Sequence, residues 1–238
     1  MPRRPAKEPP SELVRHEWAG RIEAEYRSAA ITQETVLWLI QIGASPDLVR
    51  AGLRIVDDEL VHAEMSRKVW SAAGGEALAP LDRGSLGLRR EHEVLEHDVV
   101  SAIVKVFCLG ETVAVPLFAN LRKHTTVPVA RRALDRILKD EVRHRDFGWT
   151  CLEWLLARPD AEELRGVVHR GLDGWLRALE GNYGDDLQGG IRGVTPEERA
   201  WGVAPWREYA EILHRAYTRD YARRFAKLGV SMPALPAS

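Results

Sequence analysis

Several features that would assign a chain to a familiar class are scarce in this sequence. Only two cysteines, Cys108 and Cys151, occur among 238 residues. These are too few for the disulfide framework of a small secreted domain, so we expect both to be small core residues. The formal net charge of −1 gives no reason to expect a nucleic-acid or lipid-headgroup surface. We find no run long and apolar enough to span a bilayer, and no strand-like alternation of useful length.

The two ends of the chain are read as tails. Residues 1–10 are positively charged but have no apolar segment behind them, so they are not interpreted as a secretory signal. We therefore expect a cytoplasmic protein without a nucleic-acid or membrane partner, with loosely ordered tails at 1–10 and 231–238. The apolar content of 45% is enough to bury the core of one large domain between them.

Apolar residues recur at helical spacing through most of the chain and predict an all-α fold. Residues 11–158 are predicted to form a bundle of four long helices, and residues 159–230 a helical extension packed on that bundle. The four helices are predicted at about residues 11–42, 46–73, 89–124 and 128–157. The extension is predicted to contain helices at about residues 161–180 and 205–228.

The connections predict how these helices pair. The segment 43–46, Gly-Ala-Ser-Pro, supplies a helix stop, an N-cap serine and a first-turn proline, which together predict a tight antiparallel reversal. The segment 125–128 predicts a second reversal, and residues 74–88 a longer crossover between the two hairpins. Residues 181–193 are rich in glycine and aspartate. We interpret them as a connector, with a mobile lid as the alternative.

One five-residue pattern, Asp-Glu-x-x-His, occurs at residues 58–62 and again at residues 140–144. A Glu and a His three positions apart lie on the same face of a helix. Two such helices, each partnered by a helix that supplies one more Glu, form the arrangement by which four-helix bundles hold a pair of iron or manganese ions. A third Glu-x-x-His, ending at His214, lacks the preceding Asp and is about what chance provides.

The two additional carboxylates must come from the first and third helices. Glu111 lies about as far from the 125–128 turn as Glu141 does, so it reaches the same height in the bundle. The first helix offers three candidates, and we expect Glu23 to be solvated. Glu25 lies about 60° from the centre of the apolar stripe and Glu34 about 120°. Glu34, however, is nearer to level with Glu59 along the bundle, so geometry alone leaves the choice close. We favour Glu25, with Glu34 as the alternative.

These motifs resemble those of the ferritin-like superfamily of dimetal-carboxylate proteins, over about residues 18–157. The chain is most similar to compact bacterial ferritin-like domain proteins, which are related to diiron oxygenases such as p-aminobenzoate N-oxygenases. In those proteins a Glu-x-x-Ser opens the site, a Gly-Ala-x-Pro turn follows, and an Asp-Glu-x-x-His comes next. The segments that match these three motifs are residues 25–28, 43–46 and 58–62, and residues 110–113, Gly-Glu-Thr-Val, match the family's third-helix motif.

The resemblance implies six metal ligands and two supporting residues. Glu59 and Glu141 would bridge the two metals and act as the catalytic residues. Asp58 and Asp140 would each accept the Nδ1 proton of the histidine on the opposite helix, respectively His144 and His62. A ligand set of carboxylates with one imidazole per metal suits two iron ions, or a manganese–iron pair, better than zinc or copper. The implied ligands are Glu25, Glu59, His62, Glu111, Glu141 and His144.

The function implied is that of a non-haem diiron oxidoreductase. Such an enzyme uses O2 and an external electron donor to hydroxylate, N-oxygenate or desaturate a small organic substrate. The alternatives are a ferroxidase or iron-storage protein and a rubrerythrin-like peroxide-reducing protein. An isologous homodimer through a helix face is the default expectation for the assembly.

Three further residues are secondary candidates. Tyr26 and Trp149 are expected near the site and could carry an electron or a radical, although apolar packing is the more common role of such residues. His214 is a candidate for an additional metal ligand.

Overall fold

The structure, a computed structural model, describes residues 10–184 and 193–233, and over these residues it contains helices and no strand. The all-α prediction is therefore confirmed for this part of the chain. The predicted tails lie outside the described residues apart from Pro10 and residues 231–233. The long helices are α1 (Glu12–Gln41), α2 (Pro46–Ala72), α3 (Leu95–His124), α4 (Pro128–Leu155) and α5 (Ala161–Gly184). The short α6 (Pro196–Ala200) and α7 (residues 206–227) follow.

The reversal between α1 and α2 forms as its sequence predicts. Gly43 has a φ of +79°, a conformation that costs glycine little because it has no Cβ. The Ser45 side chain accepts a hydrogen bond from the backbone N–H of Leu48 at 3.4 Å, and Pro46 occupies the first turn. This cap directs α2 back along α1, so the two helices pack together over their length.

Helix α3 begins later than predicted, at Leu95 rather than at residue 89. The cause is Asp98, whose carboxylate accepts the backbone N–H groups of Glu91 and His92 at 2.8 and 3.2 Å. These bonds fold the preceding segment across the first turn of the helix, and side-chain bonds of this kind compete with helix continuation.

The prediction that no segment could span a bilayer was wrong for α3. By length and composition alone, this helix is long and apolar enough to cross a membrane. Most of its most apolar window is nevertheless buried within the protein, as is usual for the core helix of a soluble protein. It packs against α4 on one side and against the C-terminal helices α5 and α7 on another.

Two helices contain π-helical segments that the apolar periodicity did not predict. In α3 the segment is Ile103–Glu111, and in α7 it is Ala216–Tyr221. The π-helical form is rare, and where it occurs it is frequent at functional sites. Glu111, the expected third-helix ligand, is the last residue of the first segment.

Helix α4 approaches the π-helical segment of α3 very closely at Gly148. A Cβ atom added at this position would lie 2.4 Å from the Cβ of Phe107 and 2.8 Å from its carbonyl carbon. No larger residue fits without moving one backbone. Cys108 and Cys151 are buried and free, which confirms that they are core residues, and burial raises the pKa of both thiols.

The C-terminal region adds its helices against the first four. Helix α5 continues to Gly184, beyond the predicted end at residue 180, and most of the predicted 181–193 connector lies outside the described residues. Thr195 and Glu198 form a reciprocal capping box at the start of α6. Just after α6, the carbonyl of Trp201 accepts a hydrogen bond from Trp18 Nε1 at 2.9 Å, which ties the region to α1.

Candidate metal centre

Two overlapping clusters of carboxylates and imidazoles lie between α1, α2, α3 and α4. In each cluster the potential ligand atoms lie within 4.8 Å of one another, and every member is buried. Glu59 belongs to both, so the clusters form one continuous site that could hold metal ions. The first cluster contains Glu25, Glu59, His62 and Glu141, and the second Glu59, Glu111 and His144.

Glu59 and Glu141 occupy equivalent positions between the two histidines. Glu59 Oε2 lies 3.4 Å from His62 Nδ1, and its Oε1 lies 3.5 Å from His144 Nδ1. Glu141 Oε1 lies 3.9 Å from His62 Nδ1, and its Oε2 lies 3.5 Å from His144 Nδ1. Each of these glutamates therefore presents one oxygen to each side of the site, which is the arrangement that a bridging carboxylate requires.

Several of these atoms have no hydrogen-bond partner among the described residues. They are Nδ1 of His62 and of His144, and Oε2 of Glu59 and of Glu141. Burying a polar atom without a partner costs about 1–3 kcal/mol. The 3.4–3.9 Å separations between each Nδ1 and the glutamate oxygens are longer than the about 2.7–3.2 Å of a well-formed hydrogen bond. They approach the roughly 3–3.5 Å expected between neighbouring ligands of one ion. The donor set therefore fits a pair of metal ions.

Asp58 and Asp140 support the histidines across the α2–α4 contact, but not through the predicted atom. Asp140 Oδ2 lies 3.2 Å from Nε2 of His62, and Asp58 Oδ2 lies 3.4 Å from Nε2 of His144. We predicted the same crossed pairs with Nδ1 facing the aspartates. The rings are turned the other way because Nδ1 of each histidine faces the glutamates on the inner side.

Asp58 and Asp140 belong to an outer layer of the site, behind the histidines. Two arginines that were not predicted from the sequence, Arg136 and Arg143, complete this outer layer. Arg136 contacts both aspartates, with a bond of 3.0 Å from its Nη2 to Asp58 Oδ1. Arg143 Nη2 also donates to both, each time at 2.8 Å. The positions of these arginines one turn to either side of Asp140 were the available signal, since i, i+3 and i, i+4 pairs meet on a helix.

The two layers of the site balance their charges separately. In the outer layer the two aspartates face two guanidinium groups, and their formal charges sum to zero. In the inner layer four glutamates carry a formal charge of −4 when ionised, which two divalent cations would neutralise. Buried carboxylates need such compensation because an unpaired buried charge costs several kcal/mol.

Without metal, protons supply this compensation. Burial lowers the pKa of His62, but the carboxylates of Glu25 and Glu59 outweigh it and raise the pKa to about 10. For His144, Glu141 and Glu59 likewise outweigh burial and raise the pKa to about 12. Burial raises the pKa of Glu25 to about 8. Burial and the neighbouring charge of Glu141 raise the pKa of Glu111 well above its usual value.

One glutamate goes against this trend. Burial by itself would raise the pKa of Glu59, but His144 and His62 outweigh it and lower the pKa. Glu59 therefore stays ionised between the two imidazoles, whereas the carboxyl group of Glu25 is largely protonated near pH 7. Glu59 thus keeps its charge, whereas a metal would displace the proton of Glu25.

The remaining candidates lie elsewhere. Glu34 Oε2 accepts the backbone N–H of Leu88 at 2.5 Å, so the structure brings Glu25 rather than Glu34 into the cluster. Glu23 pairs with Arg27 at the surface, as expected of a solvated residue. Two secondary candidates are exposed, Tyr26 on α1 and His214 on α7.

Comparisons of this chain with protein-family models, with curated proteins and with solved structures each gave no match. The function must therefore be inferred from the site itself.

Proposed function

We propose that this protein is a ferritin-like dimetal oxidoreductase in which α1 to α4 form a four-helix bundle around two iron ions. The observation that carries the proposal is the placement of Glu59 and Glu141, each with one oxygen toward each histidine Nδ1. Four-helix bundles that hold two metals do so with two Glu-x-x-His helices and one further Glu from each partner helix.

The residues divide into two terminal sets and one shared pair. Glu25 with His62 would complete one metal, and Glu111 with His144 the other. Glu59 and Glu141 would join them. Each metal would then have one nitrogen ligand among carboxylate oxygens, a composition that favours iron or manganese over metals with a preference for nitrogen or sulfur.

When bound and reduced, the metal pair would supply the activation of O2 for oxidation of a small organic substrate, with electrons from an external donor. The residues of the chain prepare the site for that chemistry. The six ligand side chains are at most 8% exposed, so bulk water is excluded from the reacting volume. Asp58 and Asp140 hold the Nε2 protons of the histidines, which leaves each Nδ1 free to bind a cation.

The proposal is tested first by metal stoichiometry. Metal-free protein is titrated anaerobically with Fe(II), and bound iron is counted after desalting. We expect two iron ions per chain. A protein that retains no iron, or one that binds zinc with higher stoichiometry than iron, would contradict the assignment.

Exposure of the loaded protein to O2 distinguishes an enzyme from a storage protein. For an enzyme we expect consumption of O2 limited by the two bound irons, and faster consumption with a suitable amine or arene in the presence of a reductant. A protein that oxidises many Fe(II) per chain and accumulates mineral would instead be a ferroxidase. Turnover of hydrogen peroxide without substrate oxidation would indicate the peroxide-reducing alternative.

A further inference from the structure

A buried hydrogen bond joins helix α7 to α3 close to the site. The hydroxyl of Tyr221 donates a hydrogen bond to the backbone carbonyl of Leu109 at 2.6 Å. Both residues are buried, and 112 positions separate them in the chain. Leu109 belongs to the π-helical segment that ends at Glu111. The contact thus reaches the backbone two residues before a proposed ligand.

A second contact holds the residue that follows Glu111. Trp149 Nε1 donates a hydrogen bond to Thr112 Oγ1 at 2.9 Å. The indole of Trp149 packs edge-on against Phe225 of α7, with ring centroids 4.9 Å apart. Arg224 of α7 also lies over this indole, 5.3 Å from the ring centroid. Helix α7 therefore contacts α3 on both sides of Glu111. Tyr221 bonds directly to Leu109, and Phe225 and Arg224 pack against Trp149, which bonds to Thr112.

The π-helical winding of α3 determines the direction in which Glu111 points. A π-helical segment accommodates residues at a different angular step from an α-helix. If one inserted residue relaxed into regular α-helix, the side chains after it would turn by about 100° relative to those before it. Glu111 stands at the end of the segment, so its direction depends on whether the π-helical winding persists.

In the first half of the site, no π-helical winding sets the direction of the corresponding glutamate. Glu25 lies in the regular helix α1, and α1 is joined to α2 by the short capped reversal at residues 43–45. The Ser28 hydroxyl, one turn after Glu25, donates to Glu59 Oε1 at 2.8 Å. These contacts come from α1 and α2 alone.

We propose that Tyr221 is a positioning residue that keeps Glu111 directed into the site by holding the Leu109 carbonyl in its π-helical arrangement. We call the ion held by Glu25 and His62 the first ion, and the ion held by Glu111 and His144 the second. Binding of the second ion then depends on the contact that Tyr221 of α7 makes with α3, whereas binding of the first ion does not depend on that contact. The inference rests on the proposed function, because it requires that the site bind two ions.

The test is a cobalt titration of the Tyr221→Phe variant. Co(II) is stable to air, and its visible absorption reports the ligand geometry of each bound ion. A neutral hydrogen bond contributes about the equivalent of a tenfold change in an equilibrium constant. We expect wild-type affinity for the first ion, about tenfold weaker binding of the second, and an altered absorption band for the second ion only.

Tyr217→Phe is the matched control. Tyr217 is a buried tyrosine one turn earlier in α7, and its ring centroid lies 5.7 Å from that of Tyr221. Like Tyr221→Phe, this substitution removes one tyrosine hydroxyl group from α7. We expect both ions to bind as in the wild type. A general loosening of α7 would instead weaken the second ion in both variants, and that result would overturn the specific role of Tyr221.

A second substitution keeps the proposal testable if Tyr221→Phe does not fold. Thr112→Val removes the acceptor of the Trp149 N–H on the other side of Glu111, and we expect it also to weaken the second ion selectively. Unchanged binding of both ions by a folded Tyr221→Phe protein would overturn the inference while leaving the proposed function intact. A wild-type protein that binds no metal would overturn both.

Discussion

The two halves of the candidate centre share Glu59 and Glu141. They differ in how the glutamate that belongs to one half alone, Glu25 or Glu111, is held. Glu25 lies in a regular α-helix, one turn from Ser28 and its hydrogen bond to Glu59. Glu111 ends a π-helical segment that is held by Tyr221 through the Leu109 carbonyl. The same ligand type is therefore presented by two different kinds of backbone.

The difference is also one of sequence distance. Both halves use Glu59 of α2 and Glu141 of α4. Glu25 and His62 lie on α1 and α2, and Glu111 and His144 lie on α3 and α4; each of these helix pairs is joined by a short turn, so the loop-closure cost is low in both. The Glu111 side is in addition held, through Tyr221, by the helix at the end of the described chain. Chemically similar sites can thus have different dependence on the rest of the fold.

The largest effect on metal binding is expected from replacing Glu59, which both halves share. In Glu59→Gln a neutral amide replaces the carboxylate that faces both histidines, so both halves lose a ligand and one negative charge. We expect loss of both bound ions, measured as metal per chain after anaerobic loading and desalting. Asp57→Asn is the control, since Asp57 is the exposed neighbour of Asp58 on α2. Retention of two ions by Glu59→Gln would show that Glu59 does not bridge.

A smaller effect is expected when only one of the unshared glutamates, Glu25 or Glu111, is replaced. Glu25→Gln and Glu111→Gln should each reduce the stoichiometry from two ions to one, because each leaves the other half complete. Glu34→Gln changes the rejected first-helix candidate and should keep both ions. If Glu34→Gln also lost an ion while Glu25→Gln did not, the first-helix ligand would be Glu34.

The contact between α4 and the π-helical segment can be disturbed without changing a ligand. Gly148→Ala places a methyl group against the backbone of Phe107, and overpacking of this kind costs about 1–3 kcal/mol. We expect lower thermal stability, with the Glu111 half losing its ion before the Glu25 half. Gly174→Ala is the control: Gly174 is an exposed helical glycine with open space at its Cβ position, so alanine should stabilise by about 0.5–1 kcal/mol.

Much of this arrangement could be predicted from local sequence signals. Helical periodicity gave the long helices, and the Gly-Ala-Ser-Pro segment gave the first reversal. The spacing of Glu and His in each repeated motif placed both side chains on one buried face. These features depend on residues within a few turns of one another, where sequence spacing translates directly into geometry.

The features that could not be predicted depend on contacts between distant elements. Pro116 of α3 signals an irregularity in that helix, because proline has no backbone N–H to donate. The extent of the π-helical winding, which is accompanied by a bond from Tyr221 and by the close approach of Gly148, could not be read from it. The orientation of the His62 ring was also predicted incorrectly, because it depends on which carboxylates surround it in three dimensions. The delayed start of α3 similarly follows from Asp98 and the loop before it.

The outer layer offers a more moderate perturbation that acts on both halves. Replacing Arg136 and Arg143 with Gln leaves Asp58 and Asp140 with only the histidines as partners. Both arginines are about 40% exposed at the side chain, so solvent screening limits their contribution, and we expect a loss of about 1–2 kcal/mol of stability. Metal stoichiometry should stay at two, with affinity for both ions reduced several-fold.

Arg132→Gln is the matched control for that double variant, because Arg132 is an exposed arginine of the same helix. It should leave thermal stability and both affinities unchanged. A double variant with wild-type affinities, measured by cobalt titration, would show that the arginines do not orient the histidines. Loss of one ion only would show that the outer layer serves the two halves unequally.

The smallest expected difference between the halves is in their response to pH. Metal must displace protons from His62 and Glu25, with pKa values of about 10 and 8, and from His144 and Glu111, where the pKa of His144 is about 12. His62, Glu25 and His144 are protonated near pH 7 and the pKa of Glu111 is raised, so loading should release about three protons or more per two ions. Acid weakens both halves because protons compete with metal.

The difference should appear as the pH rises from about 8 to about 10, where Glu25 and then His62 lose their protons while His144 keeps its proton. The affinity for the first ion should level off over this range, whereas the affinity for the second should keep rising. Cobalt titrations across this range, with released protons measured by an indicator in weak buffer, would separate the two steps. Equal pH dependence of both ions across this range would show that His62 and His144 bind their protons equally tightly. The two halves would then be equivalent in their electrostatics despite their different backbones.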